Sequence, residues 1–460
     1  FSGGARSVQV TGNPAVTGAR GLAGLFVRDD ADTASADDGA MCIVGANRVR
    51  WKRQYAGQRI NPLWFGADPS GNADAYPALQ AACNFAASNG RLTVHVPAGK
   101  YRITRTVQTT DVNAARGSVA CGFAGDGPYS TIFLPAGDFT AINIVTSYAQ
   151  CGGFSVQWPA TPAAAIPPTR IGVEFCNSYH QVSQTCVHDI LVMYAYNAFF
   201  QRDWTGAAGG LGTMYVVDLE RLFSFRAADY GFKLAAVNGG STTHRFSTCW
   251  ANCSDAAGAA HGKGFYLKGI NDIAMTNCAV DLCRDAALSV FNTYQVNLMG
   301  FAMESCAAVT NGAALMRFVS APVVNVVGLK DIAGTVNIPG QNGRACVVLA
   351  GAGTSCNVRG YARAALKSAA GTLYKVGVDG ATARLDTDAS VAFAEALDNG
   401  AYANISWGGI RYSATGKAPD QGPNQRGDYV RNMVPAVGQP KGWYCTAAGS
   451  PGTWVSEGAL

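Results

Sequence analysis

The sequence predicts an all-β protein, a parallel β-helix whose short strands form a single-stranded solenoid of stacked coils. Between about residues 120 and 410 there is almost no helical periodicity, and short apolar runs alternate with Gly, Asn and Asp. Three segments of this region share one pattern, which places Cys253, Cys283 and Cys306 at separations of 30 and 23 residues. A repeat of this length, made only of strands and turns, buries its apolar face by stacking on its neighbours.

The composition favours a stacked core of small residues. The chain has 460 residues, including 55 Gly and 14 Cys, and only 14% are charged, against about 25% in typical globular domains. Gly and Asn suit tight corners, whereas Ala, Val and Cys fit a narrow bore. Because the Cys lack metal-site or disulfide-framework spacing, we expect free, mostly buried thiols made in a reducing compartment.

Several classes of partner are disfavoured. The net charge is +5, and the 35 Lys and Arg residues are scattered singly along the chain, so we expect no nucleic-acid partner. No apolar run reaches the roughly 18 to 20 residues of a membrane helix, so we expect no membrane insertion. The His residues lack zinc spacing, and we expect neither metal nor cofactor. A start at Phe1 without an initiator Met suggests a fragment of a longer chain.

The elements follow in order along the chain. Residues 1–62 form a β-rich lead-in, and residues 63–410 form the β-helix domain. One amphipathic helix is predicted at about 74–89, because Asp74 and Pro77 suit its first turn and Asn89-Gly90 stops it. An open β-helix end exposes unpaired backbone, so this N-terminal helix is expected to cap it. Residues 411–460 form a small C-terminal β module.

Three parts of the sequence resemble known families. Trp64-Phe65-Gly66-Ala67-Asp68, the helix and Val96-Pro97-Ala98-Gly99-Lys100-Tyr101 together resemble the opening of pectate-lyase-like β-helix proteins. Leu25 to Asp30 and Arg50 to Arg53 are similar to the neck that precedes this opening in bacteriophage tailspikes. Residues 427–454 resemble a small β module of phage tail proteins. One departure is the single Asp74, where such openings usually carry two adjacent Asp.

The resemblance implies a right-handed β-helix and a homotrimeric tailspike, assembled in the host cytoplasm and carried on the virion. Such a protein acts at the bacterial surface, where it binds and usually depolymerises a polysaccharide: the O-antigen of lipopolysaccharide, a capsule or an exopolysaccharide. It would join the phage tail or baseplate through an N-terminal domain missing from this sequence. The implied enzyme is an endo-acting glycoside hydrolase.

Hydrolysis needs two carboxyl groups, roughly 5 to 5.5 Å apart for retention or 6.5 to 9.5 Å for inversion. Coils stack at roughly 4.8 Å, and residues i and i+2 of a strand lie roughly 6.6 Å apart. Asp281 and Glu304 each precede a repeat Cys by two residues, so they share one column of adjacent coils. If that Cys points inward, a bend must turn the carboxylate outward. Asp218 and Glu220 form an i, i+2 pair, which could also be a surface charge cluster around Arg221.

Other residues are weaker candidates. Reserve carboxylates are Glu174, Asp203, Asp255 and Asp285, of which the last two fit corners. Candidate substrate-binding residues are Trp250, Tyr294, Trp204 and Arg245, with Tyr215 as a further aromatic, although any one aromatic is more often core. His188 and Asp189 are adjacent on a strand, so we expect them to point oppositely and not to form a catalytic pair.

Three alternatives to a hydrolase remain. A polysaccharide lyase needs a cation and a base, for which His244-Arg245, His261-Gly262-Lys263 and Lys268 are available. A non-catalytic adhesin would only bind glycan. A secreted bacterial β-helix enzyme fits the Cys content and the C-terminal segment poorly.

Overall fold

The computed structural model describes most of the chain. Between residues 330 and 415 it describes the backbone of the strands and not the side chains. The described ranges are 4–11, 23–55, 59–90, 92–110, 121–176, 181–202, 212–236, 240–255, 257–306, 315–332, 347–350, 355–359, 362–364, 374–376, 382–386, 404–407, 410–413, 416–420, 424–432 and 435–460. The chain forms two compact units, which we call unit 1 (1–161 and 165–222) and unit 2 (162–164 and 223–460).

Unit 1 begins with an antiparallel sheet of four strands in the order β1-β2-β4-β3. The strands are β1 (Ser7–Val10), β2 (Gly24–Asp29), β3 (Cys42–Val44) and β4 (Arg50–Arg53). Phe26 and Trp51 are buried in it. The guanidinium of Arg53 is also buried, and it donates hydrogen bonds to the backbone oxygens of Ala40 and Ala23 while lying over the Phe26 ring. The sequence predicts β structure in this segment, and the strands are found there.

The rest of unit 1 consists of parallel coils. Its strands are β5 (Arg59–Ile60), β6 (Ser70–Asp74), β7 (Thr93–Val96), β8 (Gly99–Ile103), β9 (Val107–Gln108), β10 (Gly122–Gly125), β11 (Thr131–Pro135), β12 (Thr140–Ile144), β13 (Gln150–Gln157), β14 (Ile171–Phe175), β15 (Val182–Met193) and β16 (Asn197–Gln201). Parallel ladders run β7-β10-β13-β15 and β9-β12-β14-β16. Phe123, Phe133 and Phe154 pack in the bore with ring centroids 5.4 to 5.8 Å apart.

The predicted helix is present as α1 (Tyr76–Ser88), after a short 3-10 helix at Pro62–Phe65. Its apolar positions Leu79, Cys83 and Ala86 are fully buried. Asp74 fixes the first turn, because its carboxylate accepts a hydrogen bond from the backbone N–H of Tyr76 at 3.1 Å. The expectation of one amphipathic helix at this place is confirmed.

The helix covers the free edge of β9, the first strand of the ladder β9-β12-β14-β16. Gln80, almost fully buried, donates from Nε2 to the backbone oxygens of Gln108 and Thr110, both at 3.1 Å. Its Oε1 accepts from the backbone N–H of Gln108 at 2.9 Å. One side chain thus satisfies backbone groups of β9 that a further coil would otherwise pair.

Unit 2 continues the same coil architecture. The strand β17 (Met214–Phe225) crosses the division between the units, and unit 2 contains β18 (Tyr230–Ala235), β19 (Thr242–Ser247), β20 (Trp250–Asn252), β21 (Lys263–Lys268), β22 (Asp272–Thr276), β23 (Ala279–Asp281), β24 (Leu288–Phe291), β25 (Gln295–Met299), β26 (Ala302–Glu304), β27 (Met316–Val319), β28 (Val323–Val327), β29 (Lys330–Ile332), β30 (Val347–Ala350), β31 (Ser355–Arg359), β32 (Ala362–Ala364), β33 (Tyr374–Val376), β34 (Thr382–Asp386), β35 (Asn404–Trp407), β36 (Ile410–Ser413), β37 (Tyr429–Asn432), β38 (Gly442–Ala447) and β39 (Thr453–Ser456).

Each coil of unit 2 has three strand faces. The ladders are β19-β22-β25-β28, β20-β23-β26-β29 and β18-β21-β24-β27, all parallel. Phe232 and Phe265 stack in the bore with centroids 4.3 Å apart. The predicted parallel β-helix with its repeat register is therefore confirmed.

The chain ends in a small antiparallel sheet, in which β38 pairs with β37 and β39. This confirms the predicted C-terminal β module. The twelve described cysteines are free thiols, and ten of them are buried, as the composition predicts. Among the described residues no helix has the length and apolar character to span a membrane.

Candidate active site

Asp281 and Glu304 lie directly opposite each other on adjacent coils of unit 2. The register of β23 and β26 pairs them, as the repeat alignment predicts. The preceding coil places Asn252 in the same column. Neighbouring strands are about 4.8 Å apart, so the two carboxylates project side by side from one face.

Each carboxylate points away from the bore because it follows a buried strand residue, and a left-handed residue comes directly after it. Leu282 and Ser305 both have φ of 52°, a conformation that interrupts the alternation of a strand. Asp281 is half-buried beside the buried Val280, and Cys283, two residues later, is fully buried because the chain bends at Leu282. This is the bend that an outward carboxylate beside an inward Cys requires.

The two carboxylates differ in environment. Trp250 donates a hydrogen bond from Nε1 to Oδ2 of Asp281 at 2.7 Å. Burial raises the pKa of Asp281, the hydrogen bond from Trp250 opposes this, and the charge of Glu304 raises it further; the net pKa is above the ordinary value. Glu304 is exposed. Asp281 therefore binds its proton more tightly than an ordinary Asp does, and its neighbour faces solvent.

An aromatic shelf adjoins the pair. The rings of Phe223 and Trp250 meet edge to face, with centroids 6.3 Å apart and planes at 69°. The register continues the Trp250 position with Ala279 and Ala302. Because these side chains are small, the indole can reach across to Asp281 on the next coil.

The other carboxylate pair belongs to a charge cluster on unit 1. Asp218 and Glu220 both lie on the outer, half-buried face of β17. Glu220 contacts Arg221 at 3.1 Å, and Arg221 forms a two-pronged ion pair with Asp189 at 2.7 and 2.9 Å. Arg221 thus organises this surface, as the alternative interpretation of the sequence describes.

The expectation that the side chains of His188 and Asp189 point in opposite directions is wrong. His188 Nδ1 lies 2.9 Å from Oδ2 of Asp189, because Asp189 has a φ of 53° and the two side chains leave the same side of β15. Arg221, and then His188, lower the pKa of Asp189 to about 2. Asp189 is therefore held ionised between two basic groups.

The remaining candidates do not gather at Asp281. Tyr294, 66% exposed, lies in the turn between β24 and β25, and Arg245 is exposed on β19 of a neighbouring face. Trp204 and Asp203 fall outside the described residues. Tyr215 is half-buried on β17.

The reserve carboxylates occupy structural positions. Glu174 is buried and accepts hydrogen bonds from Thr140 at 3.0 Å and Arg202 at 3.1 Å. Asp255 holds a turn by accepting from the backbone N–H of Ala257 and Ala259. Asp285 is a corner residue with a φ of 73°.

His244 is unsuited to a base in a lyase. It is fully buried on β19, and burial lowers its pKa to about 4. Its Nδ1 lies 3.2 Å from the backbone oxygen of Thr242.

The sequence reasoning missed Phe223, which packs against Trp250. Phe223 lies one coil, or 27 residues, before Trp250 and pairs with it in register, so the coil length indicates this position.

Comparisons with known proteins agree with this architecture. Residues 3–56 match the family model described as the phage tail protein small four-stranded β-sheet domain, which covers the sheet β1–β4. Full-length tailspike protein 2 from Escherichia coli O157:H7 bacteriophage CAB120 superimposes with a TM-score of 0.60 at 11% identity, covering 88% of this chain and 53% of that chain. The chain has the β-helix fold of phage tailspikes.

Two further tailspike structures are similar. The enzymatically active domain of bacteriophage CBA120 tailspike protein 2 matches with a TM-score of 0.60 at 11% identity, over 88% of this chain and 59% of that one. The gp42 tailspike of Acinetobacter phage vb_AbaP_AS12 matches with a TM-score of 0.55 at 16% identity, over 87% of this chain and 70% of that one. This chain thus spans between one half and three fifths of the tailspike protein 2 chains.

Proposed function

We propose that this chain is the glycan-binding and depolymerising part of a homotrimeric phage tailspike. It would hydrolyse a bacterial surface polysaccharide, and its tail attachment would use the N-terminal side of the molecule. The phage tail β-sheet domain at residues 3–56 supports the tail assignment. The similarity to a structure named as the enzymatically active domain of a tailspike supports depolymerisation.

The observation that carries the hydrolase proposal is the pairing of Asp281 with Glu304. A carboxyl group with a raised pKa suits a general acid, and an exposed carboxylate suits a nucleophile. The side-by-side placement on adjacent coils favours the short separation of a retaining enzyme.

The proposed reaction has two steps. Asp281 donates its proton to the glycosidic oxygen, the bond from that oxygen to the anomeric carbon breaks, and a carboxylate oxygen of Glu304 bonds to that carbon. Water then attacks the same carbon, gives a proton to Asp281 and releases Glu304. The sum is one glycosidic bond and one water consumed. Trp250 supplies an apolar ring edge beside the acid, and Tyr294, Trp204 and Arg245 stay proposed sugar contacts.

The test measures release of reducing ends from purified surface polysaccharides of a panel of bacterial strains. We expect Glu304→Gln and Asp281→Asn to lower turnover by about 10²- to 10⁴-fold, with trimer content unchanged. Asp272→Asn, an exposed carboxylate on β22, is the matched control and keeps full activity. Retention is checked by the anomeric configuration of the first product in NMR spectra.

Other outcomes identify the alternatives. Normal turnover in both variants discards this pair and moves the test to Asp218 and Glu220. A new absorbance near the ultraviolet edge, from an unsaturated product, indicates a lyase. Binding of a surface polysaccharide, with no release of reducing ends from any polysaccharide of the panel, indicates an adhesin.

A further inference from the structure

The four strands β18, β21, β24 and β27 form one outer face of unit 2 with an unusual charge. They carry the cations Lys233, Lys263, Lys268 and Arg317, and no carboxylate. The neighbouring strands β20, β23 and β26 carry two carboxylates and no cation. We call the first surface the basic face.

Aromatic rings contact two lysine cations of the basic face, Lys233 and Lys263. Tyr230 and Tyr266 have ring centroids 5.5 Å apart, and Tyr266 and Phe291 have centroids 5.3 Å apart. Lys233 and Lys263 place their ammonium groups 5.2 and 5.0 Å from the Tyr230 ring. Such contacts position a cation without neutralising its charge.

Within the described part of the chain, one carboxylate forms ion pairs with two of these cations. Asp229, just before β18, lies 3.1 Å from Lys233 and 3.5 Å from Lys263. Four cations against one carboxylate leave an excess of three positive charges among the side chains named. Arg317 is exposed, and the lysines are partly exposed, so this excess faces solvent.

The basic face adjoins the candidate active site along the chain. Asp281 is the last residue of β23, and β24 begins at Leu288 after a corner of six residues, 282–287. The cations stand on coils spaced about 4.8 Å apart. The strands β18, β21 and β27 carry cations, so three of the four coil levels of this face do. A polymer with negative charges on spaced repeat units meets them along this face.

We propose that the basic face is a binding site for a polysaccharide bearing carboxylate groups, such as a uronic-acid polymer. The inference rests on the proposed function, since it assigns an acidic substrate class to the same unit. The excess is small and rests on four separate side chains, which suits a glycan with spaced charges better than the dense phosphates of a nucleic acid.

The experiment measures binding of the full chain to polygalacturonate and to neutral dextran by affinity electrophoresis at about 0.1 M salt. The test variant is Lys268→Gln with Arg317→Gln. Its matched control is Arg426→Gln with Lys441→Gln, two exposed cations near or in the C-terminal module. Exposed ion pairs are weak, so losing two weakens polygalacturonate binding by about twofold to thirtyfold.

The expected result is that the wild type and the control variant bind polygalacturonate, the test variant binds it more weakly, and none prefers dextran. Equal weakening in both variants, or no polygalacturonate binding by the wild type, overturns the proposal. Tighter binding of a single-stranded DNA oligonucleotide that the test variant loses would make the face a nucleic-acid site. Loss of oligomer in the test variant would make it an interface between copies.

The reducing-end assay separates this proposal from the proposed function. Polygalacturonate binding that depends on Lys268 and Arg317, without hydrolysis of any surface polysaccharide, retains the basic face and refutes the depolymerase. Hydrolysis that is unaffected in the test variant, together with no polygalacturonate binding, refutes the basic face alone.

Discussion

We predict that removing the hydrogen bond from Trp250 to Asp281 extends activity to higher pH. A simple loss of function would lower activity at every pH. Replacement of Trp250 by Phe keeps a ring and removes the Nε1–H donor, which lies 2.7 Å from Oδ2 of Asp281. A hydrogen bond to a charged group contributes about 1.5 to 3 kcal/mol, and one pKa unit corresponds to about 1.36 kcal/mol. Because Asp281 is only half-buried, water replaces part of the lost bond.

We therefore expect Trp250→Phe to raise the pKa of Asp281 by about 1 unit. A general acid works while protonated, so activity falls as pH rises through its pKa. The alkaline limb of kcat/KM then moves upward by the same amount, even if kcat/KM falls through lost sugar contacts. The sign follows from removing a donor that stabilises only the ionised form.

Two measurements check this expectation. Carbon-13 NMR of labelled Asp281 gives its pKa without any substrate, and the pH profile of kcat/KM gives the limb. Phe223→Leu, which removes the partner ring and no hydrogen bond, is the control and leaves the pKa of Asp281 near its wild-type value. An unchanged or lower pKa in Trp250→Phe refutes the assignment of the hydrogen bond, and an NMR shift without a shift of the limb refutes Asp281 as the acid.

Two further predictions concern stability. Gln80→Leu removes three hydrogen bonds to backbone groups of β9 and the next turn. At about 1 kcal/mol for each bond, the free energy of unfolding measured by urea titration falls by about 3 kcal/mol. Gln295→Leu, at an exposed position, is the control, and an equal loss in both variants would contradict the capping role. Gly152→Ala places a Cβ against the backbone oxygen of His188 on the next coil, so we expect a drop of more than about 3 kcal/mol, whereas Gly137→Ala, with room for a methyl group, stays within about 1 kcal/mol in the same titration.

Much of the fold could be predicted because a solenoid repeats its register along the sequence. The alignment of the segments ending at Cys253, Cys283 and Cys306 places Asp281 opposite Glu304, and β23 and β26 have that register. The capping helix was also predictable, since its apolar spacing and flanking turn residues are local signals. Its key contact was not, because a Gln in a helix has no sequence sign that it will pair with a strand edge.

The left-handed corners explain what the sequence reasoning missed. Leu282 and Ser305 rarely adopt positive φ, and Asp189 adopts it more readily but still infrequently, yet all three have a φ of 52° or 53°. Alternation along a strand therefore predicts the wrong side for Asp189 and gives no assurance of the outward turn of Asp281. Stacking of coils holds these conformations, and a single sequence carries no sign of it.

The basic face escaped notice for a related reason. Its cations are scattered singly along the chain, from Lys233 to Arg317, and the sequence contains no basic run there. Coils of 23 to 33 residues bring them onto one surface. In a solenoid, side chains come together when they are one coil length apart, even though many residues separate them in the sequence.

The corner residue between Asp281 and Cys283 has a consequence for which positions of a coil can vary. Inside the corner, a thiol must keep its volume because neighbouring coils press on it. Outside, the side chain meets solvent. Substitutions can therefore accumulate on the outer positions one coil at a time, while the inner column keeps the molecule folded.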